Sequence, residues 1–82
     1  MKLPRDLSGT DLARALAKAG YRITRQTGSH IRLTADSPTR HHVTVPAHDP
    51  LKVGTLSGIL SGIATHLKIE RDELLRQIGY KL

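Results

Sequence analysis

The stretch Tyr21-Arg22-Ile23-Thr24-Arg25-Gln26-Thr27-Gly28-Ser29-His30-Ile31-Arg32-Leu33-Thr34-Ala35 decides the fold. In its first part Tyr21 and Ile23 alternate with Arg22, Thr24 and Gln26, the period of two that marks a half-buried strand. Thr27-Gly28-Ser29 is a turn signal. The period of two then resumes, with Ile31, Leu33 and Ala35 on one face and His30, Arg32 and Thr34 on the other. Two such runs around a short glycine-containing turn predict a β-hairpin.

Asp36 to Arg40 follows as a loop, and His42-Val43-Thr44-Val45-Pro46 as a third strand with Val43 and Val45 facing inward. The three strands make an antiparallel meander. Before the hairpin, Ser8-Gly9-Thr10-Asp11 opens a helix in the manner of a capping box. Leu12, Ala13, Leu16 and Ala19 form its apolar stripe, and Gly20 supplies a left-handed terminating position. After the third strand, Ala47 to Gly54 is a connection. Leu56, Ile59, Leu60, Ile63 and Leu67 then follow helical spacing, and Gly58 and Gly62 lie four apart, as for close packing against another element. Glu70 to Ile78 predicts a last helix with an acidic first turn, ended by Gly79. The expected class is α+β, ordered α-β-β-β-α with a short extra C-terminal helix. One apolar sheet face lies under the helices and one polar face stays open, in outline like a double-stranded-RNA-binding domain.

Composition limits what such a chain can do. Eighty-two residues fit one domain spanning 1–82 with one modest core, too small for a two-domain cofactor enzyme. With no cysteine, disulfides and thiolate metal sites are excluded. Met1 to Asp6 lacks the apolar run of a signal peptide and no stretch is apolar enough to span a bilayer, so a soluble, cytoplasmic protein without a membrane role is expected. Thirteen basic residues against seven acidic ones suggest a polyanionic partner, nucleic acid or an acidic protein. Arg22, Arg25, Arg32, Arg40 and Lys52, with four of the five histidines, crowd into the middle of the chain. Tyr21 and Tyr80 are the whole aromatic complement, too few for base-stacking platforms, so recognition of RNA would rest on phosphates and shape.

The run Gly28-Ser29-His30 at a strand start, then Val45-Pro46-Ala47-His48, then Lys52-Val53-Gly54-Thr55-Leu56 before an Ile-Leu helix, resembles the HicA toxins. The opening Ser8-Gly9 helix ending in Ala19-Gly20-Tyr21 matches too, and the resemblance covers residues 7 to 78. It departs in the loop histidines of Arg40-His41-His42 and in a longer segment from Ala64 to Ile69. The resemblance implies a type II toxin that cuts mRNA without metal or small-molecule cofactor and is blocked by a HicB-like antitoxin. It also implies that His30 is the catalytic histidine.

RNA cleavage needs a base for the 2′-hydroxyl proton, an acid for the leaving 5′-oxygen and positive groups for the charged transition state. Histidine suits the proton steps and Arg or Lys the charge. Read from the residues alone, His30 projects from the open face, either as a reacting group or as a solvated strand-end histidine. Gly28 and Ser29 place backbone amides where a phosphate can approach closely. Two strand registers match the apolar faces. One, with paired numbers summing to 78, sets His30 opposite His48; the other, summing to 76, sets His48 opposite Gly28. His48 is then a second acid or base, a phosphate contact, or a residue that fixes the loop. Lys52, Gly54 and Thr55 resemble a phosphate-binding helix start, or Thr55 simply caps. Arg32 shares His30's face, whereas Arg25 shares Ile23's parity, so Arg32 is the better-placed phosphate ligand. No acidic residue completes a metal site around His41, His42 and His48, and adjacent His41 and His42 face opposite ways. Two other functions use the same features: a non-catalytic RNA-binding module, and an interaction protein that receives an acidic partner.

Overall fold

The structure, a computed structural model, describes residues 3–80. Ser8 stands in extended conformation, and its hydroxyl accepts the Asp11 N–H at 3.0 Å, which starts helix α1 at Gly9–Ala15. A tighter 3₁₀ turn, Leu16–Ala19, continues it, and Gly20 stops the chain at φ 91°. Three strands follow, β1 (Arg22–Thr27), β2 (His30–Ala35) and β3 (His41–Pro46), then helices α2 (Val53–Leu67) and α3 (Arg71–Gln77). The sheet is antiparallel throughout, in the order β1-β2-β3. The expected α-β-β-β-α order with a short extra helix is therefore what the chain adopts.

Ile31, Leu33 and Val45 on the inner sheet face are almost completely buried, beneath Leu12 and Leu16 on one side and Leu56, Leu60 and Ile63 on the other. Helix α3 adds Leu74 and Leu75. Its Arg71 guanidinium reaches back to the Ser57 hydroxyl of α2 at 2.6 Å. At about 1.5–3 kcal/mol for each large apolar side chain buried, this layer stabilises the sheet on its covered side only. The open face is held by its own strands.

Two expectations about the elements are corrected. Strand β1 is not half-buried: all six of its residues are exposed, and Ile23 keeps 49% of its surface accessible. It is an edge strand, and the helices that pack on the sheet lie over β2 and β3. Gly58 and Gly62 do not mark a close contact either, because a Cβ at either position would meet open space.

Candidate active site

Thr27 pairs with His30 across the two-residue loop Gly28-Ser29, and Gly28 takes φ 54° there. Only glycine adopts that backbone without steric cost, which is why the turn can be so tight. The turn sets His30 as the first residue of β2, next to buried Ile31. By strand alternation the exposed His30 imidazole projects from the open face.

Of the two registers, the chain takes the one whose paired numbers sum to 76. His30 stands opposite Pro46 and Ile31 opposite Val45. The Ala47 N–H donates to the Ser29 carbonyl at 2.6 Å, which carries the same register one step beyond β3. His48 therefore falls beside the turn rather than directly opposite His30. It is exposed, and its carbonyl accepts the Gly9 N–H at 2.8 Å, tying the segment to the start of α1.

The rows next to His30 hold a feature that alternation alone misplaces. A β-bulge between Ile23 and Arg25 sets Arg25 directly opposite Arg32, on the same face as His30. The expectation that Arg25 shares Ile23's face is thus overturned. Arg32 also pairs with Thr44 on β3. One row further, Thr34 lies between Arg22 and His42. Thr34 is buried at 4% exposure by the side chains around it: its hydroxyl lies 2.9 Å from the Thr24 hydroxyl and 2.9 Å from His42 Nδ1. Asp36 closes the far end. It pairs with Arg22 at 2.7 Å and with Arg40 at 3.7 Å. The Arg22 hydrogen bond, more than the nearby positive charges, holds its carboxyl below the ordinary carboxylate range.

Arg22 and Arg40 escaped the sequence reading as ligands of this face. After Ile23 no apolar residue of β1 anchors its parity, so the bulge left no trace in the hydrophobic pattern. Their convergence on Asp36 needed the strand ends in space. Lys52, Gly54 and Thr55 lie elsewhere, at the start of α2. Lys52 occupies the cap position without a side-chain bond, so Thr55 does not cap the helix. His41, unlike His42, turns to the covered side, where its ring stacks on His66 at 4.2 Å. Among the described residues no three or more His, Asp or Glu side chains are grouped to hold a metal ion.

The arrangement sets an exposed imidazole at the head of a face rich in guanidinium groups, the side-chain type whose planar fork matches phosphate oxygens. Residues 9–69 match the family model described as HicA toxin of bacterial toxin-antitoxin. Comparison with curated proteins and with solved structures gave no match.

Proposed function

The chain belongs to the HicA toxin family of bacterial toxin–antitoxin systems, and from that premise we propose that it is a cytoplasmic endoribonuclease that cuts mRNA by histidine acid/base catalysis. It needs no metal or small-molecule cofactor and is inhibited by a HicB-like antitoxin in a type II system. The observation that carries this reading is the exposed His30 at a glycine turn, one strand row from paired Arg25 and Arg32. A ribonuclease needs a proton-transfer group and positive charge within reach of one phosphate, and these residues supply both.

In this mechanism His30 takes the proton of the 2′-hydroxyl. The freed oxygen attacks the adjacent phosphorus, and the 5′-oxygen leaves with a proton from an acid. His48, just beyond the Ala47–Ser29 bond, is the candidate for that acid or for a contact to the phosphate. Gly28 and Ser29 present backbone at the turn, and Arg25 and Arg32 hold charge on the phosphate. Lys52, with Gly54 and Thr55 in the first turn of α2, is proposed to meet the RNA outside the sheet face.

The test is a long mRNA incubated in EDTA with wild type, His30→Ala and His48→Gln, each variant shown to be folded by its thermal melt. Wild type is expected to cut, His30→Ala to lose roughly 10²–10⁴-fold in rate, and His48→Gln to lose one limb of the pH profile. An unchanged rate and profile in His48→Gln removes it from the chemistry. Binding without cleavage by both wild type and His30→Ala would replace the enzyme with an RNA-binding module.

A further inference from the structure

We propose that the open sheet face is a track for the backbone of one RNA strand, beginning at His30 and running along β1 and β2 towards Asp36. The proposal rests on the reading of His30 as the cleavage centre, and adds how the backbone of the substrate lies on the protein. The bulge carries it. By setting Arg25 opposite Arg32, it turns an edge strand of mixed polarity into one wall of a basic strip. Arg22 and Arg40 join Arg25 and Arg32 around a recess of about 310 Å³ that Thr24, Thr34 and His42 also line.

Spacing favours a single strand. Successive rows on one face of a strand are two residues apart, about 6.6–6.8 Å, so His30, Arg32 and Thr34 are three steps in one line. Neighbouring strands lie only about 4.7–4.9 Å apart. The guanidiniums of β1 and β2 therefore converge on one line of phosphates rather than on two lines separated by a groove. Asp36 is the carboxylate bound into this strip, and it is already paired with Arg22 and Arg40, which leaves Arg25 and Arg32 without an acidic partner among the described residues.

The face reads no base. Tyr21 is buried at 1% exposure with its hydroxyl 2.7 Å from His41 Nδ1 on the covered side, so the tyrosine that opens the hairpin does not stand on the strip, and the rings the strip does carry are the small imidazoles of His30 and His42. The hydroxyl row leaves no buried donor stranded: the Thr24 hydroxyl donates to the Arg32 carbonyl at 3.4 Å, and the Thr34 hydroxyl lies 2.9 Å from the Thr24 hydroxyl and 2.9 Å from His42 Nδ1.

The test uses 2′-O-methyl oligonucleotides, which cannot be cut through the 2′-oxygen, two and six nucleotides long, with binding followed by fluorescence anisotropy over a salt series. Wild type is expected to bind the six-mer at least tenfold more tightly than the two-mer, with equal affinity for different base compositions. Arg25→Gln/Arg32→Gln should lose at least tenfold on the six-mer, with a salt slope shallower by about 1.4 for two phosphate contacts to a single strand. Arg22→Gln/Arg40→Gln should weaken the six-mer and leave the two-mer unchanged. Thr44→Arg adds a guanidinium opposite Arg32 on an exposed position and should tighten the six-mer. Wild-type affinity and slope in all three variants would overturn the track. So would equal binding of a backbone-neutral methylphosphonate six-mer, or binding of an acidic protein with none of the oligonucleotides. Since the probe is uncleavable, a wild type that binds as described but never cuts mRNA refutes the enzyme and leaves the track standing.

Discussion

Gly9 shows how one missing side chain positions the candidate site. Its N–H donates to the His48 carbonyl, and a Cβ there would overlap the Pro46 carbonyl oxygen and meet the Ala47 Cα at 3.1 Å. The obstacle is backbone, which cannot rotate away as a side chain can. The start of α1 is thereby seated on the strand end that lies beside His30. Gly9→Ala should cost about 1–3 kcal/mol in urea unfolding, the range for overpacking a tight contact. Gly58→Ala is the matched control: it faces open space within α2 and should stabilise by about 1 kcal/mol, the helix preference of alanine over glycine. Equal effects at the two positions would show that α1 does not sit as closely as described. Ser8-Gly9 was legible as a helix start, but not why the second residue is glycine, because the contact comes from a segment far along the chain.

The strands show where pattern reading reaches its limit. Ile23 and Leu33 face each other across β1 and β2, yet Leu33 is fully buried and Ile23 half exposed. Alternation gives both the same weight; only the reach of the helices over the sheet separates them. Ile23→Thr should therefore change stability by no more than about 0.5 kcal/mol, whereas Leu33→Ala should cost about 2–5 kcal/mol. Urea midpoints of the two variants check this, and a large loss at Ile23 would mean that β1 is covered. The three strands, the turn and the face of His30 were legible, because Ile31, Leu33, Val43 and Val45 alternate without interruption. The β2–β3 register was legible only to within two residues, since a shift of two preserves every face. The partner of Arg25 was hidden because an extra residue in a polar edge strand moves no apolar side chain.

Across the whole molecule, a polar cluster around His41 adds to the ties that the core makes between the sheet and α2. His41 at the start of β3 accepts or donates at the Tyr21 hydroxyl and stacks on His66 near the end of α2, whose Nε2 lies 3.1 Å from the Thr39 carbonyl. Burial, then the charges of His66 and His42, push the His41 pKa below its ordinary value of 6.5. Burial pushes the facing Tyr21 phenol up, so it stays neutral across the acidic range. The native state consequently binds fewer protons than the unfolded chain just below pH 6.5. Stability contributed by neutral His41 is complete above that pH and is lost as pH falls towards the depressed native value. Thermal melts should show Tm beginning to fall as pH drops below 6.5, before Asp36 titrates. His66→Gln, which removes one of the repelling charges, should flatten the fall. A Tm that stays constant as the pH is lowered from 6.5 into the carboxylate range would sink this account.

The backbone ties Gly9 to His48 and Leu51 to Leu7, each at 2.8 Å, also set a schedule. A protein is made from its N-terminus, and a seven-residue helix is too short to persist alone in water. During synthesis α1 therefore waits, unseated, until residues 48 to 51 have emerged. The hairpin carrying His30 is outside the ribosome well before that moment, but the segment that closes beside its turn is not yet pinned. A chain built this way seats its first helix only after the segment beside the His30 turn has been made, so the later-made end of this contact, not the earlier, sets when it forms.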